Sequence, residues 1–171
     1  MEQFKVAIVS DTHGNWKDTA ALIEQETKTQ GGITHLVFLG DHAKDGVALA
    51  EYLQVPAYIV RGNCDATEDG VEEQIVALDD WRLLICHGHR YQVKQTLQNL
   101  YYRGLELGVD YALFGHTHIA TYEAGDVILI NPGSMCERNM ACNSASWGLL
   151  TLPVEKNEKN LGKYEKNTCQ T

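Results

Sequence analysis

The chain has no apolar run near the roughly 20 residues that a membrane-crossing helix needs. Its start, "MEQFKVAIVSD", lacks the basic region, long apolar stretch and cleavage site of a secretory leader. It also lacks any CxxC pair, and its five cysteines are odd in number. Together these absences predict reduced thiols in a cytoplasmic protein, not a disulfide framework, and no membrane partner. Basic residues are scarce too: 14 Lys and Arg against 23 Asp and Glu leave a net charge of -9. That balance argues against a general nucleic-acid binder but not against a small phosphorylated substrate, because bound cations reverse the local field of a site. Finding neither an internal repeat nor a linker, we expect one domain over 1–171, with a core at about 5–152 and a polar tail at 153–171.

What is present is an alternation of short apolar runs and amphipathic stretches. "FKVAIVSD", "HLVFLGD" and "AYIVRGN" read as buried strands. "NWKDTAALIEQETKTQGG" and "KDGVALAEYLQ" read as the helices between them, so the first half predicts a largely parallel α/β core. The pattern then changes. "EQIVALDDWRLLICHGH" predicts a hairpin turning at Asp79-Asp80, "YQVKQTLQNLYYRGLELG" a helix with a stripe through Val93, Leu97, Leu100 and Tyr101, and "DYALFGH" a strand. A second hairpin turning at Gly125-Asp126 and a last core strand, "SWGLLTL", follow, and the tail either adds an edge strand or stays mobile.

Polar residues cluster where the strands stop. "SDTHGN" carries Asp11 and His13, and "LGDHAKD" carries Asp41, His42 and Asp45. "VRGNCD" carries Asn63, Cys64 and Asp65, "CHGHRY" carries His87 and His89, and "FGHTH" carries His116 and His118. Only His35, of the seven histidines, lies elsewhere. Carboxyl ends of strands in an α/β sheet share one edge, where ligands bind, so the five loops should converge. Mixed imidazole and carboxylate donors suit manganese, iron, cobalt, nickel or zinc, whereas calcium and magnesium prefer oxygen alone.

The ordered series D-x-H, G-D, G-N-x-D, H-G-H, G-H-x-H, followed by "NPGS" at 131–134, resembles the calcineurin-like metallophosphoesterase superfamily and its YfcE-type branch of small bacterial and archaeal phosphodiesterases. The resemblance runs from about Lys5 to Leu152. It implies an α/β fold, a four-layer α/β/β/α sandwich of two mixed sheets flanked by helices. It also implies two divalent ions, manganese foremost. Asp11, His13, Asp41 and His118 would hold the first, and Asp41, Asn63, His87 and His116 the second, with Asp41 bridging. The implied reaction is hydrolysis of a small phosphodiester by a metal-activated water, without a phosphoenzyme.

Asn63, Cys64, Asp65 and His89 are the further candidates for work at the phosphate. Many members of the superfamily carry histidine at the position of Cys64, which either assists the leaving group or fills space beside the site. His42 and His89 would touch substrate or orient a ligand, and Asp65 would orient a neighbour. Arg61 and Arg138 would grip phosphate or serve in ion pairs. Phosphomonoesterase activity is one alternative. A metal-binding interaction scaffold like the retromer subunit is another, disfavoured because that subunit alters the bridging aspartate and the asparagine that Asp41 and Asn63 retain. A homo-oligomer is compatible with the sequence.

Overall fold

The structure, a computed structural model, describes residues 2–136, 145–159 and 161–169. In β1 (Gln3–Val9) side chains alternate between two faces, and Val6, Ala7, Ile8 and Val9 are all buried. A strand apolar on both faces needs a covering layer on each. Parallel to it lie β2 (His35–Phe38) and β3 (Ala57–Ile59), joined through α1 (Trp16–Thr27) and α2 (Ala43–Leu53). Helix α1 tightens into a 3-10 turn at Lys28–Gln30, and left-handed Gly31 stops it.

The second half builds another sheet. β4 (Glu73–Leu78) and β5 (Trp81–Cys86) form the expected hairpin, with Leu78 opposite Trp81 and Asp79 taking the positive φ of a two-residue turn. α3 (Gln98–Leu107) leads to β6 (Tyr111–Leu113), and β7 (Thr121–Glu123) pairs antiparallel with β8 (Ile128–Asn131). This sheet has the order β4-β5-β6-β8-β7. β9 (Ala145–Pro153) returns to the first sheet beside β1, and β10 (Lys163–Cys169) pairs along it, giving β10-β9-β1-β2-β3.

Three apolar clusters mark the four layers. Val6, Ile8, Val37 and Leu39 meet Val76, Leu83, Ile85 and Leu113 between the sheets. Ala7, Val9, Leu36 and Phe38 meet Ala20 and Ile23 of α1 and Leu49 of α2 on one outer face. Leu84, Ala112, Phe114 and Leu129 meet Leu100 of α3 on the other. The α/β/β/α sandwich of two mixed sheets is therefore the fold.

One expectation needs correction. The third helix starts at Gln98, not near Tyr91, because Gln92 is left-handed and its carbonyl accepts from the N–H groups of Gln95 and Thr96 in a local turn. Of the two outcomes expected for the tail, the structure has the edge strand, β10, and its Tyr164 packs on the cluster between the sheets.

Candidate metal centre

Each of the five polar loops leaves the carboxyl end of a strand: β1, β2, β3, β5 or β6. Their backbone is unusual. Asp11, His13, Asp41, His42, His116 and His118 all have φ between 47° and 79°. Left-handed non-glycine residues are uncommon and carry a conformational cost, and among the described residues only Gln54, Asp79 and Gln92 share the feature elsewhere. Close packing holds the loops in place. A Cβ on Gly40 would meet the Gly62 backbone nitrogen at 2.5 Å, and one on Gly115 would collide with the Ser10 hydroxyl. The loops after β2 and β3, and those after β1 and β6, touch backbone to backbone or backbone to side chain.

Asp11, His13, Asp41 and His118 converge, their donor atoms all within 4.8 Å of one another. His118 Nε2 lies 3.1 Å from Asp11 Oδ1. Asp11 Oδ2 accepts from the Ser10 hydroxyl and from the His116 backbone N–H. On the other side of Asp41, His87 Nε2 lies 3.4 Å from Asp41 Oδ2, and the His87 and His116 rings meet edge to face with centroids 5.0 Å apart. Asn63 sits between Gly62, which abuts the Asp41 carboxylate, and Cys64, whose backbone N–H donates to Asp41 Oδ1 at 3.0 Å.

The donor set fits divalent metal. His87 is fully buried and its Nδ1 lies 2.7 Å from the Leu39 carbonyl, an acceptor only, so Nδ1 carries the proton. Among the described residues its buried Nε2 has no hydrogen-bond partner, and it faces the carboxylates of Asp11 and Asp41. Burial works against a positive His87, yet the carboxylate of Asp41, ready to accept from a protonated Nε2, and the charge of Asp11 outweigh it and raise its pKa. A cation held there would take the proton's place. Burial disfavours the ionised Asp41, but His87 and the Cys64 N–H hold its carboxyl well below the usual range. His116 is pushed down to about 4 by burial, then by the charges of His87 and Lys94, so it is a neutral donor at pH 7. The Asp11 hydrogen bond raises His118.

The other candidates fall around this centre. The Cys64 thiol is exposed, and burial of its sulfur side with the charge of Asp41 pushes its pKa up. His89 stands with its ring 5.6 Å from His87 and 6.1 Å from His116, its buried Nδ1 without a hydrogen-bond partner among the described residues. The His42 ring lies tilted to that of His13, centroids 5.6 Å apart, and is half exposed, its Nδ1 3.7 Å from Asp45. Arg61 is held by Glu72 at 2.8 Å. Arg138 lies outside the described residues. Asp65 faces backbone: its carboxylate accepts from the N–H groups of Asp41, His42, Ala43 and Gly62.

Sequence reasoning assigned no role to four residues that brace the loops. Asp45 Oδ2 accepts from Thr12 Oγ1 and the Gly14 N–H. Ser10 donates to Asp11, Asn131 Nδ2 donates to the Gly115 carbonyl, and Ser134 Oγ donates to the Asp11 carbonyl. The signal for the last two was "NPGS" itself, a turn with no other reason to follow β8.

The calcineurin-like phosphoesterase superfamily domain matches residues 4–153. The chain is 33% identical over 150 residues to the probable metallophosphoesterase YsnB of Bacillus subtilis, covering 86% of this chain and 83% of that one. It is 30% identical over 150 residues to the phosphodiesterase MJ0936 of Methanocaldococcus jannaschii, covering 77% and 84%. Among solved structures, vacuolar protein sorting 29 of Cryptosporidium parvum superposes with a TM-score of 0.73 at 18% identity over 98% of this chain and 99% of that one, a likeness of fold.

Proposed function

The chain belongs to the calcineurin-like phosphoesterase superfamily, and from that premise we propose that it hydrolyses phosphodiester bonds with two divalent metal ions. The observation that carries this reading is the Asp41 carboxylate. It belongs to the cluster with Asp11, His13 and His118 and also lies 3.4 Å from the unpartnered Nε2 of His87. One carboxylate between two donor sets suits a bridging ligand. Asn63 and His116 complete the second set in this reading. Bound ions, manganese foremost and nickel, cobalt, iron or zinc as alternatives, supply an activated water and neutralise charge on the phosphoryl oxygens.

The chain's own groups shape the rest. The Leu39 carbonyl fixes the His87 tautomer, and Asp65 holds the Asp41 loop against the Asn63 loop. Cys64, with its thiol kept protonated, stands beside Asn63 as a weak donor and is not a nucleophile. His89, its ring 5.6 Å from that of His87, is a group able to meet substrate. Support for a diester over a monoester comes from the relative named a phosphodiesterase and from cysteine at the position where the wider family places a leaving-group histidine.

The test is metal-stripped protein with each metal restored, assayed on an aryl phosphodiester, an aryl phosphomonoester, cyclic nucleotides and a phosphoserine peptide. We expect the aryl phosphodiester to turn over best, with full activity at two ions per chain by elemental analysis. Full activity at one ion per chain would overturn the dinuclear centre, and a preference for the monoester would make this a phosphomonoesterase. Protein with both ions bound and no turnover of any substrate would point to an interaction scaffold.

A further inference from the structure

Glu72 occupies two arginines, Arg61 just before the Asn63 loop and Arg90 just after His89. Arg61 Nη2 and Arg90 Nη1 lie 2.8 and 2.7 Å from its two carboxylate oxygens. Arg103 is held by Glu73 and Glu106. None of these three offers its fork to a phosphate. Lys94 is different. It stands exposed in the turn between the His87–His89 loop and α3, and among the described residues its ammonium has no ion pair or hydrogen-bond partner.

Its seat is well defined. The neighbouring Val93 is buried against Gly88, so closely that a Cβ on that glycine would meet a Val93 methyl at 2.9 Å. Val93 shares an apolar cluster with Phe114, the residue leading into Gly115 and His116. Val93 therefore anchors Lys94 to the rim beside both histidine-bearing loops. The positive charge of Lys94 acts on His116 and His118 alike, opposing their protonation. An ammonium seated beside both histidine loops and paired with none of the described carboxylates is available to an incoming anion.

Resting on the phosphoesterase reading of the site, we infer that Lys94 binds a non-bridging phosphoryl oxygen of the substrate on the outer side of the metal centre. The ammonium is a point charge on a flexible stem. It holds the phosphoryl group without demanding one ester geometry, which suits phosphodiesters of varied alcohols.

The experiment compares metal-loaded wild type, Lys94→Ala, Lys94→Arg and Lys28→Ala, the last removing the same charge in the turn after α1. Three quantities are read: orthophosphate affinity by calorimetry, kcat and KM on an aryl methyl phosphate, and metal content. Lys94→Ala should weaken orthophosphate binding and raise KM, each about tenfold, the worth of one charge-assisted contact. Its kcat should stay within about twofold, because the contact is made in ground and transition states alike. Metal content should not change, Lys94→Arg should recover most of the affinity, and Lys28→Ala should match wild type. Unchanged orthophosphate affinity in Lys94→Ala overturns the inference. So does a fall in kcat at constant KM, equal weakening in Lys28→Ala, or a metal-loaded wild type that binds no orthophosphate. A wild type that binds orthophosphate but cleaves no diester refutes the functional reading alone, and the calorimetry still decides the role of Lys94.

Discussion

At the scale of single residues, Asp41 and His42 are neighbours with opposite standing. Both are left-handed, but Asp41 is buried among the donor atoms while His42 is exposed, its side chain near Asp45 and the His13 ring. Asp41→Ala should cost about 10³-fold or more in kcat/KM, since it would remove a ligand shared by both ions and with it several kcal/mol of transition-state stabilisation. His42→Ala should cost about tenfold or less. Steady-state kinetics with metal content measured on each variant checks this, and comparable losses in two folded variants would mean that Asp41 is not the bridge. Cys64 sets a second expectation. Its thiol stays protonated at neutral pH and is a weak donor. Rates over a series of aryl methyl phosphates should therefore fall steeply as the leaving phenol becomes less acidic. A well-placed acid is worth about 10²–10⁴-fold, so Cys64→His should flatten the series if its imidazole reaches the leaving oxygen. Cys64→Ser should change it little. A shallow series in the wild type would show that an effective acid is already present.

At the scale of elements, the start of α2 is the informative case. The residue before the helix, His42, is left-handed and makes no capping hydrogen bond. The cap comes from the next crossover instead, where one carboxylate, Asp65, accepts the N–H groups of Asp41, His42 and Ala43 together with that of Gly62. A negative charge at a helix N-terminus is stabilising, and here it also fixes the β2 loop to the β3 loop. Asp65→Ala should cost about 3 kcal/mol of stability and weaken metal binding by about 10–100-fold. Asp65→Asn, which keeps one acceptor oxygen, should recover part of both. Urea denaturation and calorimetric metal titration measure the two effects, and a variant as stable as wild type would show that water replaces the carboxylate without loss.

At the scale of the whole molecule, two sheets share one apolar layer, and Tyr111 and Tyr164 reach into it from opposite sheets. Burial, aided by the nearby Tyr122 and Asp110, pushes Tyr111 up to about 12, and burial also raises Tyr164. An unfolded tyrosine ionises near pH 10, so the folded chain keeps these protons to higher pH than the unfolded one. The associated stability is present below about pH 10 and is lost as pH rises through the folded value. Urea midpoints should therefore fall steeply between about pH 10 and 11.5, with Tyr111 alone accounting for about 2 kcal/mol. Tyr111→Phe should make the decline shallower. An equal decline in that variant would place the sensitive group elsewhere.

The sequence by itself determined which residues stand at the strand ends, because a strand's apolar run and the polar residue that closes it are neighbours in the chain. Asp11, Asp41, His87 and His116 could be placed on one edge from that pattern alone. The sandwich came from the resemblance that the ordered motifs carry. The contacts that set the properties of those residues were not legible. Asp65 reaches back 22 to 24 positions to cap α2, Glu72 takes Arg61 and Arg90 out of contention for phosphate, and Ser134 grips the Asp11 carbonyl across 123 positions. The tail became β10 because β9 offered an unpaired edge and the core a place for Tyr164. The third helix began late because Gln92 folds back on the loop that carries His89. Local composition settles what a segment can be, while hydrogen-bond partners and paired charges depend on segments that only folding brings within a few ångströms, and these decided that Glu72 pairs with Arg61 and Arg90 and that Asp65 faces backbone N–H groups.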